Sequence, residues 1–71
     1  MDINNYMNIK LNGKDHLTKA LTISQLLSEL GIVSERVAVE VNRRIIKKAD
    51  FDNYPVKEGD IVEIVNFVGG G

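Results

Sequence analysis

Seventy-one residues make one small domain, and with a formal charge of −1 and no cysteine the chain has neither a disulfide nor a Cys-based zinc site to hold it together. Stability must come from aliphatic side chains packed between regular elements, which the 44% hydrophobic, aromatic-poor composition can supply. So thin a core leaves little room for a substrate pocket, and the near-neutral charge and lack of a 20-residue apolar run give no reason to expect a nucleic-acid or membrane partner. The composition predicts a soluble, cytoplasmic module that serves larger proteins, and not an enzyme.

Residues 1–6 (MDINNY) are polar apart from one Ile and read as a flexible or strand-extending leader, with Met7 a possible alternative start. The domain proper is expected over 7–67. Met7, Ile9 and Leu11 alternate with polar residues, the period of a half-buried strand. Asn12-Gly13 signals a turn into a second short strand around Leu17. A loop with an odd number of residues would place Leu17 on the same face as Ile9, so a three-residue loop with Gly13 left-handed is expected.

Thr22 and Gln25 form a capping box, with Leu21 and Leu26 as the accompanying staple. Ile23, Leu26, Leu27 and Leu30 share one side at helical spacing, and Gly31 supplies the left-handed stop. Val37, Val39 and Val41 alternate into a third strand. Asn42-Arg43 is a two-residue turn that sets Ile46 opposite Val39 on the inner face and Ile45 beside Glu40 on the outer one. Phe51 is the apolar plug of an otherwise polar loop. The last strand, Ile61 to Phe67, points Val62 and Ile64 inward. The predicted core is Met7, Ile9, Leu17, Ile23, Leu26, Leu27, Leu30, Val37, Val39, Val41, Ile46, Val62 and Ile64. A single helix covers one face of a sheet, so the fold class is α+β: a mixed four- to five-stranded sheet wrapped around one helix.

Three features carry candidate chemistry. Gly69-Gly70-Gly71 follows the last strand almost directly, separated from its core only by Phe67 and Val68. Residues 68–71 therefore read as a flexible tail that presents the Gly71 carboxylate with no neighbouring side chain. From Phe67 to Gly71 the chain can reach roughly 17 Å, enough to enter a narrow active site. A frayed, inert tail is the plain alternative. The second feature is the outer face, where Ile61, Val65, Phe67 and Ile45 lie among Glu63 and Glu40 and suggest a docking patch. The third, Arg43 to Lys48, lacks aromatic interleaving and reads as a solvated hairpin. His16 has no companion ligand or nucleophile, and only a surface role is expected for it.

Val-Ala-Val-Glu-Val-Asn (37–42), Glu-Gly-Asp-Ile-Val-Glu-Ile-Val (58–65) and Val-Gly-Gly-Gly (68–71) together resemble the ThiS family of thiamine-pathway sulfur carriers. The resemblance runs from Met7 onward. A Gly-Gly ending alone is weak, but its combination with this last strand is specific. The family's turn after the third strand is often Asn-Gly, where this chain has Asn42-Arg43. The resemblance implies a ubiquitin-like β-grasp fold. It implies that Gly71 is adenylated by a ubiquitin-activating-like enzyme with ATP and magnesium, no cofactor being permanently bound. The resulting thiocarboxylate would draw its sulfur from a donor such as a cysteine desulfurase and pass it to thiazole synthase. Gly70, Gly69 and Val68 would be the inserted arm, and the free protein a monomer. The small subunit of molybdopterin synthase and a ubiquitin-like modifier share the fold and ending and stand as alternatives.

Overall fold

A computed structural model describes residues 5–67 of the chain. Residues 1–4 and the 68–71 tail, including Gly71, lie outside the described residues. The elements are strands β1 (Met7–Leu11) and β2 (Lys14–Thr18), helix α1 (Ile23–Glu29), strands β3 (Val37–Val41) and β4 (Arg44–Ile46), and strand β5 (Ile61–Asn66). Single 3-10 turns, Ser34–Arg36 and Lys48–Asp50, lead into β3 and follow β4. They are joined by Lys48 Nζ, 3.4 Å from Glu35. Its own backbone N–H first and Lys48 second hold the Glu35 carboxyl below the usual range.

The sheet order is β2-β1-β5-β3-β4, antiparallel except for the parallel β1–β5 pair at its centre. Inward residues of β1, β3 and β5 meet one side of α1, so Ile9, Val39, Val41 and Val62 are buried with Ile23, Leu26 and Leu27. Phe51 plugs this core as expected, and Ala20 and Val56 join it. Met7, Leu30 and Ile64 are half-buried at its edge. The β3–β4 turn keeps the expected register, with Val39 opposite Ile46 and Glu40 opposite Ile45.

The β1–β2 turn corrects the expected three-residue loop. Ile9 pairs with His16 and Leu11 with Lys14, leaving Asn12-Gly13 as a two-residue loop. Both loop residues have positive φ, 50° and 86°, as in the type I′ turn, whose twist matches that of the flanking strands. Leu17 therefore falls opposite Asn8 on the outer face, 63% exposed, and is not a core residue. Thr18 takes the inner position, fully buried. Its hydroxyl donates to Glu29 and accepts the Ala20 N–H, so a polar side chain is accommodated there.

The helix start is also corrected in part. Thr22 Oγ1 accepts the Gln25 N–H as the capping box requires, but Gln25 Oε1 reaches back to the Leu21 N–H rather than to that of Thr22. Leu21 is 64% exposed and forms no staple over the buried Leu26. The reason is a short pairing of this segment with residues 54–56: Ile23 N–H donates to Tyr54 O and Val56 N–H to Leu21 O. That pairing satisfies an orphan helix donor and turns Leu21 outward between buried Ala20 and Ile23. At the other end Gly31, φ +70°, stops the helix.

Candidate functional site

β5 is the central strand, bonded on both sides, and its period of two divides its side chains between faces. Val62 is buried against the helix, while Ile61, Glu63 and Val65 face outward and are exposed. Phe67 continues this outer row past the strand end, and its N–H donates to Arg36 O at 2.7 Å, prolonging the β3–β5 ladder. It is 57% exposed.

On β3 the half-buried Glu40 stands directly opposite Glu63, with Ile45 of β4 on its other side at 74% exposure. Ala38, Glu40, Ile45, Glu63 and Val65 line a shallow depression of about 90 Å³. The six patch residues expected from sequence are thus brought onto one face. The row they form ends at the residue that precedes Val68.

Two asparagines missed as site-supporting residues hold β5 in place. Asn12 Oδ1 accepts the Ile64 N–H at 2.8 Å, and Asn42 Oδ1 accepts the Ile61 N–H at 2.9 Å. Each is the first residue of a two-residue turn at positive φ, and each carboxamide extends the ladder where backbone partners run out. The signal was present in the sequence as two turn asparagines. Pairing them with β5 needs the strand order, which local pattern does not contain.

A larger cleft, about 270 Å³, lies at the start of β5 and is lined by Val41, Asn42, Tyr54, Pro55, Lys57 and Asp60. The Asp60 carboxylate there already accepts from Asn42 Nδ2 and the Lys57 N–H. It lies at the opposite end of the strand from Phe67, about 23 Å along the chain from Asp60. His16, expected on the surface, is instead half-buried on the helix-facing side. Its Nε2 is 3.8 Å from Glu29 Oε1, with no hydrogen-bond partner among the described residues. No group of three His, Cys, Asp or Glu able to hold a metal ion occurs among the described residues. Nor is any helix among them long and apolar enough to cross a membrane.

The ThiS family model matches residues 5–71. The chain belongs to the ThiS family. It is 40% identical over 65 residues to the sulfur carrier protein ThiS of Bacillus subtilis, covering 89% of this chain and 98% of that one. A crystal structure of the thiamine biosynthesis protein (ThiS) from Geobacter metallireducens superposes with a TM-score of 0.79 at 39% identity, over 92% of this chain and all of that one. The β-grasp fold expected for the ThiS family, a five-stranded mixed sheet around one helix, is present. The chain is also 41% identical over 66 residues to a thiazole synthase of Paramagnetospirillum magneticum, covering 92% of this chain but 20% of that protein. A thiazole synthase of Magnetococcus marinus matches at 39%, again over 20% of its length. The chain thus spans about a fifth of these two relatives.

Proposed function

We propose that this chain is a sulfur carrier of thiamine biosynthesis, with the Gly71 carboxylate as the group that carries sulfur. The observation that supports the reading best is the outer row of β5 in a ThiS-family chain: Ile61, Glu63, Val65 and Phe67 lead along a doubly bonded strand to residues 68–71. A partner that grips this row holds the strand from which the tail departs.

A carboxylate resists attack by sulfur until one oxygen becomes a leaving group. In the proposed reaction a Gly71 carboxylate oxygen attacks the α-phosphorus of magnesium-bound ATP and releases pyrophosphate. The terminal sulfur of a persulfide held by a donor such as a cysteine desulfurase then displaces AMP from the acyl adenylate to give an acyl disulfide. A thiol reductant supplies the two electrons that cleave its S–S bond, leaving the thiocarboxylate and the donor's free thiol. The chain has no cysteine on which to hold sulfur as a persulfide instead. Thiazole synthase is the proposed recipient. In support, relatives named thiazole synthase contain a segment similar to this chain within one longer polypeptide. ATP as co-substrate fits a cytoplasmic site of action.

The test is intact-mass measurement of protein ending at Gly71 after incubation with the adenylating enzyme, ATP, magnesium, a sulfur donor and a thiol reductant. Exchange of one oxygen for sulfur is expected. Deleting Gly71 moves the carboxylate by about 3.5 Å, and a 1 Å misplacement of a reacting group can cost about a hundredfold in rate. Deletion, or addition of one residue, should therefore abolish the exchange. Sulfur gained equally by all three proteins would overturn the reading, and isopeptide-linked products without thiocarboxylate would favour a protein modifier.

A further inference from the structure

The outer face contains a local conflict that the free domain does not resolve. Glu40 and Glu63 are direct partners across β3 and β5. The bonds from Asn42 N–H to Ile61 O and from Phe67 N–H to Arg36 O, each 2.7 Å, set the parity of this ladder. They make Glu40–Glu63 a hydrogen-bonded pair, whose Cβ atoms stand about 5.5 Å apart. Like charges so placed on one face destabilise a sheet. Neither carboxylate has an ion-pair partner among the described residues; the nearby outer-face cation of β1, Lys10, is held 2.8 Å from Asp15. The pair is framed by apolar side chains, Ile45 beside Glu40 and Ile61 and Val65 to either side of Glu63, at the depression already described.

We propose that the Glu40–Glu63 pair is the receptor for an arginine of the adenylating enzyme, seated in the depression while that enzyme's apolar surface covers Ile45, Val65 and Phe67. This rests on the sulfur-carrier reading and names what its first partner must present. A guanidinium is planar, has five donors and bridges two carboxylates with directed hydrogen bonds, which a lysine point charge does less well. Charge also selects among occupants. A second copy docked face to face would bring four carboxylates together, and nucleic acid or an anionic membrane would be repelled. An enzyme that binds the phosphates of ATP needs cationic groups around its site, and a carboxylate pair on the strand that leads towards the tail complements it.

The experiment compares the wild-type chain with Glu40→Gln, Glu63→Gln and the double variant, which keep shape and remove charge. Affinity for the adenylating enzyme is measured by calorimetry at low and high salt, alongside thermal melts of the free proteins. The double variant is expected to bind about tenfold or more weakly. The salt dependence seen for the wild type should largely disappear, while the melting temperature stays level or rises because repulsion is relieved. A merely structural role would lower the melting temperature. The proposal is overturned if the double variant binds within twofold of wild type, if its salt dependence is unchanged, or if wild type does not bind the enzyme. It is also overturned if binding weakens only towards thiazole synthase, assayed in parallel. The carrier reading is judged separately on wild-type protein: binding as described without oxygen-to-sulfur exchange would refute the carrier while leaving the docking assignment standing.

Discussion

Leu26→Ala tests whether the helix is held by one apolar contact surface. Leu26 is fully buried, in one cluster with residues of the sheet and with Phe51 and Val56 of the following loop. Alanine is the better helix former, so the substitution costs α1 nothing in backbone propensity. The whole loss comes from transfer and from the cavity, about 2–5 kcal/mol for a buried leucine. Collapse around that cavity is limited because the facing strands are tied by their ladders, which favours the upper half of the range. A domain of this size has about 4–11 kcal/mol in total at typical stability per residue. At about 4–8 °C per kcal/mol, a loss of about 4 kcal/mol lowers the midpoint by about 16–32 °C. Urea titration followed by circular dichroism gives the free energy, with an unchanged slope showing that the unfolded state is the same. Leu17→Ala is the internal control. Leu17 is exposed on the outer face, so its truncation should stay within about 0.5 kcal/mol. Equal losses at 17 and 26, or less than about 1 kcal/mol at 26, would refute the register and the core together.

Thr18→Val keeps the shape of a fully buried residue but leaves the Ala20 N–H and the Glu29 carboxylate without their partner, and should cost about 1–3 kcal/mol in the same titration. Arg43→Gly relieves a non-glycine residue at φ 71° and, net of glycine's extra chain entropy, should stabilise by about 0.5–1 kcal/mol; a loss of stability would show that the Arg43 side chain contributes contacts that outweigh the strain. Phe67→Asp should leave stability within about 0.5 kcal/mol, the side chain being mostly exposed, yet weaken binding to the adenylating enzyme by about tenfold, and unchanged affinity would remove Phe67 from the interface.

Alternation and helical spacing made most of the fold legible. Val37, Val39 and Val41 with Val62 have no other face on which to be buried, and the position of Ile46 follows once Asn42-Arg43 is a two-residue turn. The error at β2 came from weighing hydrophobicity above turn chemistry. Leu17 looks like a core residue and Thr18 does not, but Asn12-Gly13 specifies a two-residue loop, and pairing register then decides the faces. A threonine can be buried where Glu29 and the Ala20 N–H meet its hydroxyl, and these partners come from α1 and the loop before it, eleven and two residues away. The Leu21 staple failed for a similar reason. The pairing of Leu21 and Thr22 with residues 54–56 is more than thirty residues distant, and no local pattern announces it. The outer row of the candidate site was readable because its residues follow from parity on β5. The opposition of Glu40 and Glu63 was not, because the β3–β5 register is set by long-range packing.

β5 can serve fold and partner at once because the two demands fall on opposite sides of its pleat. Val62 and Ile64 bind the strand to the core, and both edges are occupied by β1 and β3, with Asn12 and Asn42 completing the ladder. Outward substitutions at 61, 63, 65 and 67 therefore disturb no register, and this face can meet the needs of a partner, even at the cost of two opposed glutamates. The ladder also limits what that partner can be. Among the described residues the last backbone bond is at Phe67, four residues before Gly71, so the Gly71 Cα can lie at most about 14 Å from that of Phe67. Under the proposed reaction, an enzyme that covers Phe67 would hold its reacting phosphate within reach of a carboxylate at that radius, and one with a deeper active site would have to release Phe67 from the sheet.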